Sequence, residues 1–469
     1  MPTDDDIGPV TGTLADYLAD VRYSDIPEPV LGRARWHLLD TLGCVIYGLR
    51  TPWVESVVET LAGMDETGHG GAVLPTMSLA LSPARAALVT GTASHAMDFD
   101  DYCQDAGVHA GSAVLPAILA HAQTRDPVSG REALTAMAAG TEVGIRAGYG
   151  IGRGSLARGW HIAGWTGAIA AAATAGTLSG MDREALAHAL GLGATQGSGL
   201  MGATYGASVK RFHMGKAAES GYLGAELSAN GLTGDTRLFA NRWGSISTTM
   251  AEDGDPEAVT DGLGDRYELL EKLTLKPYPS VGQTHPAISG VENLLEESGL
   301  DGDEVAEVEI RVTEAAKDKS GWAYEPTGVM AAQSNIQYAV ATLLLKGQLS
   351  VHDYTEAAIS RPAVLGRVED VSVIADQNLV TDESGFNARY TTELTLVTRD
   401  GTCYERRVDV PKGFPENPMT TDEIKEKFRD QAGAVLEDSA VEAAIDFVAN
   451  IESVADVSQL LDVVDRPQQ

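Results

Sequence analysis

Positive charge is scarce in this chain. Its 469 residues include 34 lysines and arginines against 67 aspartates and glutamates, a formal net charge of −33 at pH 7. Such a charge repels nucleic acid and anionic membranes, so neither is expected as a partner. The acidic residues are spread along the whole sequence, which suits a protein in concentrated salt, where screening acts within about 3 Å at about 1 M. We therefore expect a halophilic, cytoplasmic protein.

Cysteine is also scarce, and long apolar runs are missing. Cys44, Cys103 and Cys403 are far apart and odd in number, so they predict no disulfide framework, zinc site or iron–sulfur cluster. The most apolar stretch, residues 163–178, is shorter than the ~20 residues that cross a bilayer, and it predicts a buried core helix. The N-terminal MPTDDDIGPV is acidic and polar, unlike a signal peptide, so no export is expected.

The first half of the chain has the periodicity of helices. From Leu14 to about Ala251, apolar residues recur at three- and four-residue intervals, and many of the segments end at glycine. Abundant alanine and glycine predict a compact all-α domain with close helix contacts. The chain after Gly413 is helical again and is expected to return to that domain.

The chain between these parts has a different pattern. Residues 303–313 alternate apolar and polar side chains as a half-buried strand does, and residues 391–410 predict a hairpin that turns at residues 399–401. Two helices are expected between them, over residues 330–347 and near residues 352–361. These elements predict a smaller α+β domain.

The predicted fold class is therefore mainly α, and the length of the chain favours more than one domain. A large all-α helical domain is expected from residues 1–267 and 413–469. A smaller α+β lid domain is expected over residues 268–412.

Two motifs are similar to cofactor or metal sites, but each lacks a feature that such a site requires. GYGIGRG at residues 148–154 is similar to a dinucleotide-binding loop, but it follows a predicted helix and not a strand. Asp98, Asp100 and Asp101 could bind a hard cation, although the EF-hand spacing is absent. A solvated end of a helix explains the three aspartates equally well. No cofactor and no metal are expected.

Four segments gather histidine, lysine and aspartate beside glycine or proline, where the backbone can present side chains to a cleft. They are residues 94–116, 156–167, 208–216 and 276–290. No lysine precedes Lys210, yet the third segment, SVKRFHMGK, carries four basic residues. A positive focus in a negative protein suits a small polycarboxylate. The alternatives are a solvated basic patch that pairs with glutamates, a histidine packed on tryptophan, and an interdomain hinge.

Five motifs in this order together resemble the MmgE/PrpD family, from about Leu14 to beyond Gly413. They are HAMDFDD, HAGSAVLPA, ATQGSGLMG, VKRFHMGKAAESGYLGAELSANGLTG and LKPYPSVGQTHPAI. The family includes 2-methylcitrate dehydratase, cis-aconitate decarboxylase and an iminodisuccinate epimerase. The resemblance implies an active site in the cleft between an all-α domain and a lid, commonly in a homodimer, without a metal.

The resemblance also implies the site residues. The catalytic positions would be Asp98, His109, His161, Lys210, Lys276 and His285. The positions expected to contact substrate would be Tyr102, Arg211, His213 and Tyr324, of which His213 could instead be structural. The chain has Tyr102 after its aspartates where relatives often have threonine, and Ala110 after His109 where proline is usual. Both departures bear on which substrate is used.

The expected function is a metal-independent lyase that acts on a small di- or tricarboxylate. Lys210, Lys276 and Arg211 would bind carboxylates and stabilise negative charge, and His109 and His161 would transfer protons. Asp98 would orient one of these histidines. Dehydration of 2-methylcitrate ranks first by analogy, with cis-aconitate decarboxylation and iminodisuccinate epimerisation as alternatives. A helical scaffold or anion-binding protein is the non-enzymatic alternative.

Overall fold

Helices dominate the computed structural model, which describes residues 7–64, 71–124, 126–379 and 390–465. Residues 1–6, on which the expectation of no export largely rests, lie outside this description. The helices are α1 Pro9–Asp20, α2 Glu28–Gly48, α3 Pro52–Met64, α4 Pro83–Ser94, α5 Gly111–Ala122, α6 Gly130–Ile151, α7 Gly154–Ala157, α8 Ala163–Leu178, α9 Arg183–Thr195, α10 Val209–Ala229, α11 Ile246–Thr249, α12 Glu268–Glu271, α13 His285–Ser298, α14 Glu314–Ser320, α15 Val329–Gln333, α16 Ile336–Lys346, α17 Pro362–Val368, α18 Thr421–Gly433, α19 Asp438–Ala449 and α20 Gln459–Val464. The strands are β1 Ala72–Val73, β2 Ala80–Leu81, β3 Val305–Val312, β4 Val371–Ala375, β5 Thr392–Thr398 and β6 Cys403–Val408.

Small residues let the helices that carry the site pack closely. Helix α10 packs against α4, α8 and α9. At Gly221 of α10 an added Cβ would lie 2.3 Å from the carbonyl oxygen of Ala168 in α8, so a larger residue would force the two helices apart. Helix α8 is buried along most of its length, which confirms the predicted core helix. None of the described helices combines the length and apolar character that crossing a bilayer requires.

The second part of the chain contains a four-stranded sheet in the order β4, β3, β5, β6. Strand β3 pairs in parallel with β4 and antiparallel with β5, and β5 and β6 form an antiparallel hairpin. The predicted strand over residues 303–313 and the predicted hairpin are therefore confirmed. Strand β4 was not predicted.

Buried apolar side chains form two large cores. One draws on residues 7–275 and 419–464, and the other on residues 278–396 together with Cys44, Met97 and Phe99. This distribution supports the expected division into an all-α domain and a lid, which stays a prediction. Met97 and Phe99 flank Asp98, so the backbone at Asp98 lies where the two cores meet.

Two predicted helices differ from the structure. The segment 330–347 forms two helices, α15 and α16, because Asn335 is extended and its side chain accepts a hydrogen bond from the Tyr338 N–H at 2.9 Å, which begins a new helix. The helix expected near residues 352–361 is wrong. That segment forms turns, and α17 begins only at Pro362, where the missing N–H is tolerated.

Candidate active site

A cavity of about 560 Å³ is lined by residues of both parts of the chain. It brings together six of the ten residues that the sequence predicts for the site: Asp98, Tyr102, His109, His161, Lys210 and Lys276. Each comes from a segment between helices or from a first helical turn. Short connections therefore carry the side chains, while the packed helices fix their ends.

Asp98 is the centre of a buried cluster of charges. Its carboxylate accepts hydrogen bonds from Lys210 Nζ at 2.5 Å and from Lys276 Nζ at 2.6 Å. Lys276 also donates to the Asp98 carbonyl oxygen at 2.8 Å. Asp98 has φ +54°, a left-handed conformation that aspartate tolerates better than most residues. This bend follows α4 and turns the carboxylate toward the lysines.

The charges in this cluster shift one another's pKa values. Burial alone would raise the pKa of Asp98, but Lys210, Lys276 and Arg211 lower it well below its usual range. Burial lowers the pKa of Lys210 to about 8, against the opposing effect of Asp98. The cluster holds more positive than negative charge, so it can attract an anion into the cavity.

Arg211 lies behind the cavity and does not line it. Its guanidinium donates to the Ala96 carbonyl oxygen at 3.0 Å and to Gln333 Oε1 at 2.7 Å, and its Nη1 lies 3.8 Å from the Asp98 carboxylate. Gln333 in turn donates to the Met97 carbonyl oxygen at 2.6 Å. Arg211 therefore braces the segment that carries Asp98, and its predicted contact with substrate has no support here.

Asp100 holds two histidines. His95 Nδ1 lies 2.9 Å and His109 Nδ1 3.2 Å from one oxygen of the Asp100 carboxylate, which also accepts a hydrogen bond from Ser112 Oγ at 2.6 Å. Burial lowers the pKa of His95 to about 3, although Asp100 opposes the shift, so His95 is neutral at pH 7. The expectation that Asp98 orients a histidine is therefore corrected, because Asp100 does this.

The hydrogen bonds of His109 determine which ring nitrogen can react. Its Nδ1 also lies 2.7 Å from the Asp101 carbonyl oxygen, which can only accept, so Nδ1 carries a proton. Nε2 is then the atom that can exchange a proton with a substrate. Asp101 has a separate role, because its carboxylate accepts hydrogen bonds from the N–H groups of Ala110 and Gly111 at the start of α5.

His161 and His213 form a pair at a second place on the wall. Their Nδ1 atoms are 2.9 Å apart, a distance at which one ring donates a proton and the other accepts it. Burial and the charge of Lys210 lower the pKa values of both. At pH 7 both rings are expected to be neutral, with the Nδ1–H of one ring donating to the Nδ1 of the other. Only His161 of the two lines the cavity.

Three further predicted residues have distinct positions. Tyr102 lines the cavity with Lys276 Nζ 5.4 Å from its ring centroid. His285 is fully buried, its Nε2 lies 3.2 Å from the Ser280 carbonyl oxygen, and it does not line the cavity. Tyr324 also lies elsewhere and donates its hydroxyl to the Ile359 carbonyl oxygen at 2.9 Å. The structure therefore does not bring His285 or Tyr324 to the candidate site.

The basic segment is not a solvated patch. Lys210, Arg211 and His213 occupy the first turns of α10 and are buried. Lys216 pairs with Glu219 at 2.6 Å, which is the kind of contact that the alternative interpretation expected. The aspartates at positions 98, 100 and 101 are also buried, which excludes the solvated end of a helix.

The ligand atoms of His95, Asp100 and His109 lie within 4.8 Å of one another, close enough to be considered for a metal ion. Their arrangement is that of a hydrogen-bond network. The Nδ1 of His109 carries the proton that bonds the Asp101 carbonyl oxygen, and the His95 Nδ1 faces a carboxylate at 2.9 Å. A cation at these nitrogens would have to displace both protons, so these residues fit hydrogen bonding better than metal binding.

Two family models match most of the chain. Residues 12–257 match the MmgE/PrpD N-terminal domain, and residues 278–453 match the MmgE/PrpD C-terminal domain. The chain belongs to the MmgE/PrpD family. The resemblance seen in the sequence is thereby confirmed.

Several relatives cover nearly the whole chain. The cis-aconitate decarboxylase-like protein oryM of Aspergillus oryzae is 30% identical over 97% of this chain and 97% of its own length. The cis-aconitate decarboxylase of Homo sapiens is 26% identical over 98% of this chain and 95% of its own length. The mitochondrial 2-methylcitrate dehydratase of Yarrowia lipolytica is 26% identical over 86% of this chain and 80% of its own length. This MmgE/PrpD protein is thus similar to enzymes.

Sequence reasoning missed the roles of three residues that shape the site, one of which, Asp100, it considered only as a possible cation ligand. His95 and Asp100 both belong to the HAMDFDD motif, whose five-residue separation could have suggested a pair. Gln333 had no signal, because it lies in a helix of the other part of the chain and reaches Arg211 only in the folded protein.

Proposed function

We propose that this protein is an acid–base lyase that removes CO₂ from cis-aconitate or a closely related tricarboxylate. One observation carries the proposal: the buried Asp98 cluster and two histidines share one cavity wall. The lysines supply positive charge for carboxylates, and the histidines supply proton transfer. The relatives named as decarboxylases match more of the chain than those named as dehydratases. The order of preference expected from the sequence is therefore reversed.

The proposed reaction needs one proton at carbon. CO₂ leaves the saturated carbon of cis-aconitate, and its bonding pair forms a new double bond to the central carbon. The former double-bond pair then takes a proton at the other alkene carbon. The trianion and one proton become CO₂ and a dianion, and solvent restores the proton. Fixed cations stabilise the negative charge that develops on the retained carboxylates.

His109 is the proposed proton donor. Its Nδ1 proton bonds the Asp101 carbonyl oxygen, so a proton given to the substrate must come from Nε2 of the doubly protonated ring. When both nitrogens are protonated, the Asp100 carboxylate at 3.2 Å compensates the positive charge. His161 has a pKa lowered by burial and by Lys210, so we assign it the neutral role of hydrogen bonding to substrate.

Dehydration of 2-methylcitrate is the second candidate. A neutral His161 could remove a proton α to a carboxylate, and His109 could protonate the leaving hydroxyl. Relatives named as 2-methylcitrate dehydratases support this alternative.

The test follows cis-aconitate and 2-methylcitrate separately by NMR with purified enzyme. We expect CO₂ loss from cis-aconitate, and a fall of about 100-fold or more in kcat for His109→Gln. Lys210→Gln should also lose activity, while Lys216→Gln, the matched control on the same helix, should match the wild type. Water loss from 2-methylcitrate alone would favour the second candidate. Turnover of neither acid by folded protein would refute both.

A further inference from the structure

The loop between α6 and α7 reaches the cavity but has no role in the proposed chemistry. Its two residues, Gly152 and Arg153, belong to the glycine-rich stretch GYGIGRG at residues 148–154, and Arg153 lines the cavity. This arginine lies outside the four segments in which the sequence predicts site residues. It comes from a different element than the lysines of the Asp98 cluster.

The backbone around Arg153 is tightly constrained. Gly152 has φ +83°, and a Cβ there would lie 2.6 Å from the backbone nitrogen of Gly254. The position therefore requires glycine. On the other side of Arg153, the Gly154 N–H lies 2.9 Å from one oxygen and 3.0 Å from the other oxygen of the Asp253 carboxylate.

The side chain of Arg153 is also anchored. Its guanidinium donates a hydrogen bond to the carbonyl oxygen of Gln104. Gln104 lies in the connection that carries both Asp98 and His109, and it lines the cavity as well. The arginine is thus tied to the segment that bears the proposed proton donor.

The positive charge of the two lysines in the Asp98 cluster is partly neutralised within the protein. Lys210 and Lys276 both bond the Asp98 carboxylate, so together they present less than their full charge to an anion. A tricarboxylate needs further cations. Among the described residues, Arg153 and Lys319 are the other arginine and lysine that line the cavity. Of these, Arg153 has the fork of N–H donors that binds a carboxylate through two hydrogen bonds.

We propose that Arg153 forms a carboxylate subsite, separate from the Asp98 cluster, that selects tricarboxylates over dicarboxylates. The subsite deepens the proposed function and rests on it for its biological substrate. Held beside Gln104, a carboxylate at Arg153 lies along the connection that leads to His109. The subsite would thus orient the substrate relative to the proton donor.

Binding of two inert acids tests the subsite. Tricarballylate has three carboxylates on a saturated chain, and glutarate is the same chain without the central one. Their dissociation constants are measured by calorimetry or NMR titration for the wild type, Arg153→Gln, Arg153→Lys and Lys319→Gln. Arg131→Gln is the control, because it removes the same charge from an exposed position about 30 Å away along α6.

We expect Arg153→Gln to weaken tricarballylate binding about 10-fold or more, as loss of a charged hydrogen-bond partner does. Glutarate binding should not change, and Arg153→Lys should recover part of the loss. Arg131→Gln should behave as the wild type, and thermal unfolding checks that each variant is folded.

Three results would overturn the subsite: equal weakening of both acids by Arg153→Gln, selective weakening by Lys319→Gln alone, or wild-type protein that does not prefer tricarballylate. The test needs no turnover. If Arg153 selects tricarballylate and the enzyme converts no tested acid, the subsite stands and the proposed function fails.

Discussion

Asp98→Asn is the substitution that most directly probes the buried charge cluster. It removes one negative charge and leaves Lys210, Lys276 and Arg211 buried around a neutral amide. Asparagine also tolerates the left-handed φ of +54° at this position, so the change tests charge and not backbone strain. Alanine would combine both effects and would be harder to interpret.

The size of the effect follows from burial. Removing one partner of a buried ion pair destabilises a protein by about 3–5 kcal/mol, because the other charge stays buried without compensation. Asp98 is only 3% exposed and contacts two lysines directly. We therefore expect the free energy of unfolding to fall by an amount in that range near pH 7.

The loss of unfolding free energy in Asp98→Asn should become smaller as pH rises. Burial already lowers the pKa of Lys210 to about 8, and Asp98 opposes that shift. Without Asp98, the folded variant releases the Lys210 proton at lower pH than the wild type does. Between the lowered pKa of Lys210 in the variant and about pH 8, the folded variant therefore binds fewer protons than the folded wild type. As pH rises through that window, the free energy of unfolding of the variant rises relative to that of the wild type, and the difference between them shrinks.

The assay is urea unfolding followed by circular dichroism from about pH 5 to about pH 9. Asp16→Asn is the matched control, since Asp16 is an exposed carboxylate that pairs with Arg183 at 2.8 Å. The control should lose less than about 1 kcal/mol. Equal unfolding free energies for Asp98→Asn and the control at every pH would refute the account of the charge cluster.

Four other predictions concern neighbouring groups and the surface. Asp100→Asn should lower kcat about 100-fold with little change in KM, because His109 loses its carboxylate partner. Asp101→Asn should instead lower stability by about 0.5–2 kcal/mol through the start of α5, as unfolding would show. In the wild type kcat/KM should decline above about pH 8 as Lys210 loses its proton, and in Lys210→Arg this decline should move to higher pH, because a guanidinium stays charged. The unfolding midpoint should rise as KCl increases from about 0.1 M to about 2 M, since screening relieves the net charge of −33, and a flat dependence would contradict the halophilic hypothesis.

Local patterns predicted most of the helices because one face of each is buried against its neighbours. Residues 163–178, rich in alanine and glycine, form α8 as expected. The errors lie where tertiary contacts decide. Strand β4 is a short run that becomes a strand only because it pairs with β3, and the segment before Pro362 makes turns where its composition suggested a helix.

The sequence indicated which residues lie together more reliably than it indicated their partners. Segments beside glycine and proline supply six of the ten predicted side chains to the cavity, whereas Arg153 comes from outside them. Sequence spacing could not assign partners to Asp98 and Asp100, which are two positions apart. The left-handed residue Asp98 bends the chain, so its carboxylate meets the lysines and that of Asp100 meets the histidines.

Conversion of cis-aconitate by the wild-type enzyme in D₂O is the decisive test of proton transfer by this site. We expect release of CO₂ and one deuterium on carbon in each product molecule, at the former alkene position that receives a proton. His109→Gln should form that product far more slowly. Recovery of undeuterated product, or of unchanged cis-aconitate with folded protein in molar KCl, would contradict proton transfer by this site.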